Sequence, residues 1–310
     1  MDMTRLTMEV PSSDGIHTLR GVVHLPSGEV RGFFHIVHGM TEHIARYEAT
    51  LAFMAENGYI AFGYDNLGHG ETAVREGDLG FIAGTAGDER LAEDVSRFSH
   101  AVRERFDGGR GLPYLLLGHS MGSFIVRLAV TKYVTPDRLI LMGTAGRNPA
   151  APVGLALARL LGLLRGERHV SRFLDRMAFG SYNKRFGGGT PEDPRPWLTS
   201  DDGVRERYYA DPFCTFGFSV SAMGDLIRLI KRTNGRRILR ATPREMPILL
   251  VAGTLDPVGR YGRGIGEVCD RLCAVGAEVR AVLYEGARHE ILNEFCREEV
   301  LRDILDFCNE

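Results

Sequence analysis

The sequence lacks long hydrophobic runs, dense clusters of basic residues and any strong excess of charge. No apolar stretch approaches the roughly 18 to 20 residues that cross a bilayer, and residues 1–5 have no apolar signal-peptide core. The 38 basic and 40 acidic side chains give a net charge of −2, which offers little electrostatic support for nucleic-acid binding. We therefore expect a cytoplasmic protein with no membrane-spanning helix and no nucleic-acid partner.

Cysteine is scarce and odd in number, which disfavours a disulfide framework and favours reduced thiols in a cytoplasm. Cys269 and Cys273 are one helical turn apart, so a metal site is conceivable. No further pair of His or Cys residues completes a ligand set, and we predict two small residues on a helix face and no metal. The five cysteines, all in the last third of the chain, are Cys214, Cys269, Cys273, Cys296 and Cys308.

What the sequence does contain is an alternation of short apolar runs with segments of helical period. Such runs are typical of parallel strands buried on both faces, so the alternation predicts an α/β fold with right-handed crossovers. The apolar runs are residues 32–37, 59–64, 114–117, 138–142, 248–252 and 279–284. The helical segments are residues 49–57, 88–106, 123–133, 264–275 and 298–307. Residues 6–10 and 18–25, separated by a turn, predict an antiparallel hairpin at the sheet edge.

The alternation breaks between about residues 146 and 243, although 310 residues could form one large α/β domain with an insertion. We predict an α/β core of residues 1–146 and 244–310, and a helical cap of residues 147–243. The cap contains an apolar helix at 153–164, which could line an acyl tunnel or contact a membrane. Packing on the sheet face is the simpler interpretation, and we favour it.

A candidate nucleophile lies in Gly118-His119-Ser120-Met121-Gly122. In a Gly-x-Ser-x-Gly turn, a strand bends sharply into a helix, and the glycines remove side chains that would collide. The bare motif is weak evidence. A buried-strand pattern precedes this one and a helix-compatible pattern follows it, so we predict that Ser120 stands exposed at the carboxyl end of the sheet.

A serine nucleophile needs a base and an orienting carboxylate, which follow it in the order acid, then histidine. Asp256 and His289 each follow a predicted strand, where active sites of open α/β sheets lie. Alone, Asp256 is readily interpreted as a turn residue and His289 as polar surface. The rival acid Asp225 lies in the insertion. We predict a triad of Ser120, Asp256 and His289.

Acyl transfer also needs two backbone N–H donors for the oxyanion. One is expected from Met121, directly after the nucleophile, and the other from Met40, in the loop after an early strand. Core packing is the alternative for both side chains. The predicted role uses only their amides.

Taken together, these motifs resemble the monoacylglycerol lipase and lysophospholipase branch of the α/β-hydrolases, also called the serine aminopeptidase S33 or Hydrolase 4 group. The resemblance covers roughly residues 15–145 and 245–305, and rests on His38-Gly39-Met40-Thr41-Glu42-His43, Asp65-Asn66-Leu67-Gly68-His69-Gly70, Gly118-His119-Ser120-Met121-Gly122, Gly253-Thr254-Leu255-Asp256 and Gly286-Ala287-Arg288-His289-Glu290. It implies a mostly parallel, twisted sheet flanked by helices, and hydrolysis of small acyl esters without metal or cofactor.

The resemblance also suggests roles near the oxyanion loop. Glu42 and Arg46 match positions that shape the polar part of the pocket, with a loop-stapling ion pair as the alternative. Asp65 and His69 more plainly fix a loop. Met40 replaces a smaller residue common in the family, which would narrow the acyl pocket.

Two other functions stay open at this point. An S33-type aminopeptidase or amidase would share the triad and would need an acidic pocket, for which Asp201, Asp202 and Asp211 are candidates. A non-catalytic binding protein on the same fold is the third possibility, because fold does not fix function.

Overall fold

A computed structural model describes residues 4–310 as one eight-stranded sheet with helices on both faces. The strand order is β1-β2-β4-β3-β5-β6-β7-β8; β1 and β2 are antiparallel to their neighbours, and the other pairs are parallel. The strands are β1 (Thr4–Pro11), β2 (Thr18–Leu25), β3 (Gly32–Val37), β4 (Tyr59–Tyr64), β5 (Tyr114–His119), β6 (Arg138–Met142), β7 (Ile248–Gly253) and β8 (Val279–Tyr284). The predicted α/β class and edge hairpin are confirmed.

Ten α-helices cover this sheet or lie between its strands within residues 4–310. They are α1 (Glu48–Glu56), α2 (Gly87–Phe106), α3 (Met121–Ala129), α4 (Ala151–Arg165), α5 (Arg172–Phe179), α6 (Asp202–Ala210), α7 (Val220–Thr233), α8 (Arg236–Ala241), α9 (Arg263–Cys273) and α10 (Arg297–Asn309). None of the described helices is both long and apolar enough to cross a bilayer. All five cysteines are free thiols.

The two faces of the sheet support separate apolar cores because successive strand residues point to opposite sides. Phe33 packs in the core that contains residues of α2 and α3, whereas Phe34 packs in the core that contains residues of α1 and α10. Each fully buried side chain of this size contributes roughly 1.5 to 3 kcal/mol. The central strands are therefore held rigidly from both sides, and their carboxyl ends have fixed positions.

The burial of β8 and the bounds of α3 differ from the sequence-based predictions in ways that affect the site. Strand β8 was expected to be buried on both faces, but most of its residues are exposed or half-buried because it forms the edge of the sheet. Helix α3 begins at Met121, directly after the candidate nucleophile, and ends at Ala129 rather than at residue 133. The earlier start places the helix N-terminus beside Ser120.

The apolar helix of the insertion, α4, does not pack on the sheet face, so that prediction was wrong. It packs on α7, which in turn contacts α2 and α3. Small residues allow the close approach: a Cβ on Gly154 would lie 3.0 Å from Ile227 Cδ1, and Ala158 is buried one turn further along. The outward face of α4, with Val153, Leu160, Leu163 and Leu164, is exposed, and its contact with a membrane stays an alternative that we do not favour.

Candidate active site

Ser120 lies in a sharp turn between β5 and α3. Its backbone has φ 50° and ψ −116°, a sparsely populated conformation for a residue with a side chain, and such strain persists only where the surroundings enforce it. A Cβ on Gly122 would collide with the Val37 carbonyl oxygen, and one on Gly118 would collide with the backbone of Gly122. The two glycines thus permit the turn, and Ser120 lines a cavity at the carboxyl end of the sheet.

The amides expected to hold an oxyanion are free. Neither Met40 N nor Met121 N donates a hydrogen bond within the described part of the chain. Met121 N belongs to the first turn of α3, where no intrahelical partner exists. Both methionine side chains also pack in or against the apolar core, and both residues line the cavity.

His289 and Asp256 come together although they are 33 positions apart in the sequence. His289 Nδ1 lies 3.0 Å from Asp256 Oδ2, and the two residues are 3% and 0% exposed. Burial alone would lower the pKa of His289, but the charge and the hydrogen bond of Asp256 raise it above its usual value. With Nδ1 engaged, Nε2 is the nitrogen left to act as a base.

The hydrogen bonds of residues 4–310 include none between Ser120 Oγ and His289. Catalytic hydrogen bonds of this kind are commonly long without substrate and tighten in the complex. The His289 ring packs against Trp197, at 5.2 Å between ring centroids, and against His119, at 4.9 Å, both in tilted arrangements. Its orientation is therefore supported by these ring contacts as well as by Asp256.

Glu42 and Arg46 form a buried charge cluster behind the cavity. Arg46 donates to both carboxylate oxygens of Glu290 at 2.8 and 2.7 Å and to Glu42 at 3.1 Å. Burial alone would raise the pKa of Glu42, yet the charges of His119 and Arg46 hold it well below its usual range. Glu42 lines the cavity, but Arg46 is not among the described lining residues.

A hydrogen-bonded connection joins the insertion to the loop after β3 that carries Met40 and Thr41, here called the oxyanion loop after its predicted role. The Tyr208 hydroxyl lies 2.9 Å from Thr41 O and 2.8 Å from Thr41 Oγ1. Thr41 directly follows Met40 and has φ 53°, so a strained residue of this loop is tied to helix α6. As expected for a loop-fixing residue, Asp65 accepts bonds from the Ile44 and Glu71 amides.

The cavity has a volume of about 620 Å³, within the range of small-molecule sites. Its apolar lining side chains include Phe124, Ala145, Phe179, Leu226 and Ile230, and its polar ones include Thr41, Glu42, Arg195, Tyr208 and Glu290. The candidate nucleophile and base therefore open onto a space lined by both apolar and polar side chains.

Sequence reasoning missed several cavity residues. Glu290 directly follows His289 and could have been noticed as a second carboxylate near Glu42. Trp197, Arg195 and Tyr208 come from the insertion, where no motif marks them. The helices that carry or flank them had a usable signal, since Ser171 and Asp201 cap α5 and α6 by accepting from Leu174 N and Val204 N.

One group in the described chain has the chemistry of a metal site: the ligand atoms of His43, Asp211 and Cys214 lie within 4.8 Å of one another. His43 Nε2 lies 2.8 Å from Asp211 Oδ2, and burial raises the pKa of the Cys214 thiol. A thiol kept protonated is a poor ligand. We interpret the group as a tether between the oxyanion loop and the insertion.

The acidic residues considered for an amine pocket lie elsewhere. Asp201 caps α6, Asp202 pairs with Arg205, and Asp211 pairs with His43. None of the three is among the described residues that line the cavity.

Comparison with solved structures shows an α/β-hydrolase fold, as predicted. A carboxyl esterase from Bacillus coagulans in complex with glycerol superposes with a TM-score of 0.91 and 29% identity, covering 99% of each chain. A monoglyceride lipase from Saccharomyces cerevisiae has a TM-score of 0.75 at 19% identity, covering 94% of this chain and 91% of that one, and supports the fold alone.

Sequence comparison gives related proteins of similar length. A monoacylglycerol lipase from Mycolicibacterium smegmatis is 26% identical, covering 95% of this chain and 97% of that protein. A monoglyceride lipase from Homo sapiens is 25% identical, covering 87% and 78%. The family model described as Serine aminopeptidase, S33 matches residues 28–295, which confirms the resemblance drawn from the motifs. The chain thus belongs to the Serine aminopeptidase, S33 (Hydrolase_4) family of the α/β-hydrolase fold.

Proposed function

We propose that the protein is a serine hydrolase that cleaves carboxylic esters of the monoacylglycerol or lysophospholipid type. The observation that carries the proposal is the convergence of a strained Ser120, the buried His289–Asp256 pair and two free amides on one cavity. These are the parts that acyl transfer through a serine requires.

In the proposed mechanism, His289 Nε2 takes the proton of Ser120 Oγ while the oxygen attacks the ester carbonyl carbon. The amides of Met40 and Met121 stabilise the resulting oxyanion. The intermediate then expels the alcohol, which receives the proton from His289, and leaves an acyl-Ser120 enzyme. A water molecule, deprotonated by His289, releases the acid and restores Ser120. Asp256 holds the histidine tautomer and stabilises its charged form.

The mixed lining of the cavity supports this choice of substrate. Apolar side chains such as Phe124, Phe179 and Leu226 suit an acyl chain, whereas polar ones such as Tyr208 and Glu290 suit the alcohol. The related proteins, monoacylglycerol lipases and a carboxyl esterase bound to glycerol, agree with an ester of this kind.

We further propose that residues 147–243 act as a cap that completes the substrate cavity over the core. Trp197 and Tyr208 come from this segment and stand beside His289 and Thr41. Asp201, Asp202 and Asp211, which would have favoured an aminopeptidase, lie away from the cavity, and the carboxylates that line it, Glu42 and Glu290, are paired with Arg46. The cavity therefore favours the ester hydrolase over an aminopeptidase.

The proposed function is tested by replacing the nucleophile. Ser120→Ala is expected to abolish hydrolysis of a p-nitrophenyl ester and of a monoacylglycerol. Ser27→Ala, at an exposed serine in the loop between β2 and β3 that does not line the cavity, serves as the matched control and is expected to keep full activity. Undiminished turnover by the Ser120→Ala protein would contradict the proposal.

A further inference from the structure

The cavity carries an excess of positive charge. Five lining side chains are cationic, namely Arg147, Lys184, Arg185, Arg195 and Arg260, and two are carboxylic, namely Glu42 and Glu290. Charges that line a cavity with low-dielectric walls raise the local concentration of oppositely charged substrates. Cations that already have a carboxylate partner in the protein contribute less to this effect than cations that have none.

The carboxylates of the cavity have other partners. Glu290 accepts hydrogen bonds from both terminal nitrogens of Arg46, and Glu42 is hydrogen-bonded to Arg46, Tyr47 and His119. Two of the five cations also have a carboxylate partner, since Arg147 and Arg260 share Glu267 on α9. None of these contacts involves the other three cations.

Lys184, Arg185 and Arg195 therefore stand apart. Across residues 4–310, no carboxylate oxygen lies within 4.0 Å of any of the three. Lys184 and Arg185 are exposed at the mouth, with Arg185 stacked 3.7 Å over the ring of Tyr261. The Asn183 side chain donates to Pro194 O at 2.9 Å, which holds this pair of cations next to the segment that carries Arg195.

Arg195 is the best-placed of the three because it is held beside Thr41 and Tyr208, which also line the cavity. Its Nη1 donates to Thr41 Oγ1 and to the Tyr208 hydroxyl, both at 3.0 Å, and its backbone amide donates to the Tyr209 hydroxyl at 2.8 Å. Both side-chain contacts are neutral oxygens. Its Nε and Nη2 have no hydrogen-bond partner among the described residues. The N–H groups of these two nitrogens are therefore available to donate to a ligand.

The position of Arg195 relates it to the alcohol part of a substrate. Thr41, which it contacts, follows Met40, whose amide is a proposed oxyanion donor. An ester held by the Met40 amide would place its alcohol beside Thr41 and Arg195, and its acyl chain against the apolar lining side chains. A guanidinium presents donors in a planar fork that matches phosphate and carboxylate oxygens, and its hydrogen bonds to charged groups are stronger than those to neutral ones.

We propose that Arg195, supported by the field of Lys184 and Arg185, binds a phosphate group on the alcohol portion of the ester, so that the preferred substrate is an acylglycerol phosphate rather than an uncharged acylglycerol. This assignment rests on the proposed ester hydrolysis. The reaction is unchanged: water cleaves the acyl ester bond, and the products are a fatty acid and glycerol phosphate. Arg195 positions the substrate and takes no part in proton transfer.

A purely structural role for Arg195 makes a different prediction. If it only braced Thr41 against Tyr208, its loss would lower activity by the same factor on charged and uncharged esters. A binding role lowers kcat/KM much more for the phosphate ester, chiefly through KM, because the lost interaction is present in both ground and transition states.

The test compares two short-chain substrates with the same acyl group, a hexanoylglycerol and a hexanoylglycerol 3-phosphate. We expect the wild-type kcat/KM to be roughly tenfold or more higher on the phosphate ester, in line with one charge-assisted hydrogen-bonded group. Arg195→Gln should lower this preference roughly tenfold or more, and Arg195→Lys should restore part of it. Arg176→Gln, an exposed cation on α5 outside the cavity, is the matched control and should keep the wild-type preference.

A measurement on the wild-type protein removes any dependence on how the variants fold. Glycerol 3-phosphate should slow labelling by a fluorophosphonate at concentrations at which glycerol and inorganic phosphate do not, which separates the headgroup from the free ion. Equal wild-type kcat/KM on the two esters, or equal losses on both in Arg195→Gln, would overturn the inference and leave the ester hydrolase intact. If neither ester is cleaved and Ser120 is not labelled, the proposed function itself fails.

Discussion

The core side and the cap side of the cavity are held by different physical means. On the core side, strand ends and strained turns fix Ser120, Met121 and Asp256, and buried backbone contacts leave little freedom. On the cap side, side-chain hydroxyls and cations do the positioning, as at Tyr208 and Arg195. The difference suggests that the core sets the reaction and the cap sets which ester reaches it, and each side can be perturbed separately.

The largest effect is expected from the core. Asp256→Asn should lower kcat roughly 10⁴-fold, because the amide favours the wrong tautomer of His289 and no longer stabilises its charged form. Asp306→Asn, an exposed residue on α10, is the control. Steady-state kinetics with a chromogenic ester measures both. A loss of less than tenfold would move the catalytic acid elsewhere.

Packing of the cap can be tested on the two faces of α4. Leu155 is 8% exposed and Leu163 is 86% exposed. Leu155→Ala should lower the free energy of unfolding by about 2 to 4 kcal/mol through lost burial and a cavity, whereas Leu163→Ala should change it by less than about 0.5 kcal/mol. Chemical denaturation measures both. Equal effects would mean that α4 does not pack on α7 by this face.

The link between the cap and the core is tested at one hydroxyl. Tyr208→Phe removes the contacts to Thr41 and Arg195, which loosens the oxyanion loop, and should lower kcat/KM by about tenfold, as expected for a hydrogen bond of roughly 1.5 kcal/mol. Tyr133→Phe, which removes a hydroxyl contact to Glu89 on α2, is the control. An unchanged kcat/KM in Tyr208→Phe would show that this connection does not support the loop.

The smallest expected effect is a shift of a pH profile. The Asp256 carboxylate raises the pKa of His289 above its usual value of about 6.5. Protonated His289 cannot accept the Ser120 proton, so kcat/KM should fall as the pH drops through that raised pKa. We expect the midpoint of this acid limb above pH 6.5, and a lower midpoint in Asp256→Asn. A wild-type midpoint well below 6.5 would contradict the charge pairing.

The same contrast explains what could be predicted from sequence. Ser120, Asp256 and His289 each follow an apolar run, and the carboxyl ends of parallel strands meet along one edge, so local patterns placed them together. Arg195 and Tyr208 reach Thr41 across more than 150 positions, and no local period encodes such contacts. The exposure of β8 was missed for a related reason, since an edge position is a property of the whole sheet.

The burial of charge was equally hard to predict. Glu42 and Arg46 were matched to the polar pocket through the resemblance, but their third partner, Glu290, lies 244 positions from Arg46. The packing of α4 against α7 likewise depends on which helix the tertiary fold brings beside Gly154. Sequence periodicity found α4 and gave no information on its contact with α7.

The most direct test of the central claim is the site of covalent labelling. The protein is treated with a fluorophosphonate, and intact mass followed by peptide mapping locates the adduct. We predict a single adduct on the peptide that contains Ser120, and none in Ser120→Ala. An adduct on another residue, or continued ester turnover by a protein that takes no adduct at Ser120, would contradict the account.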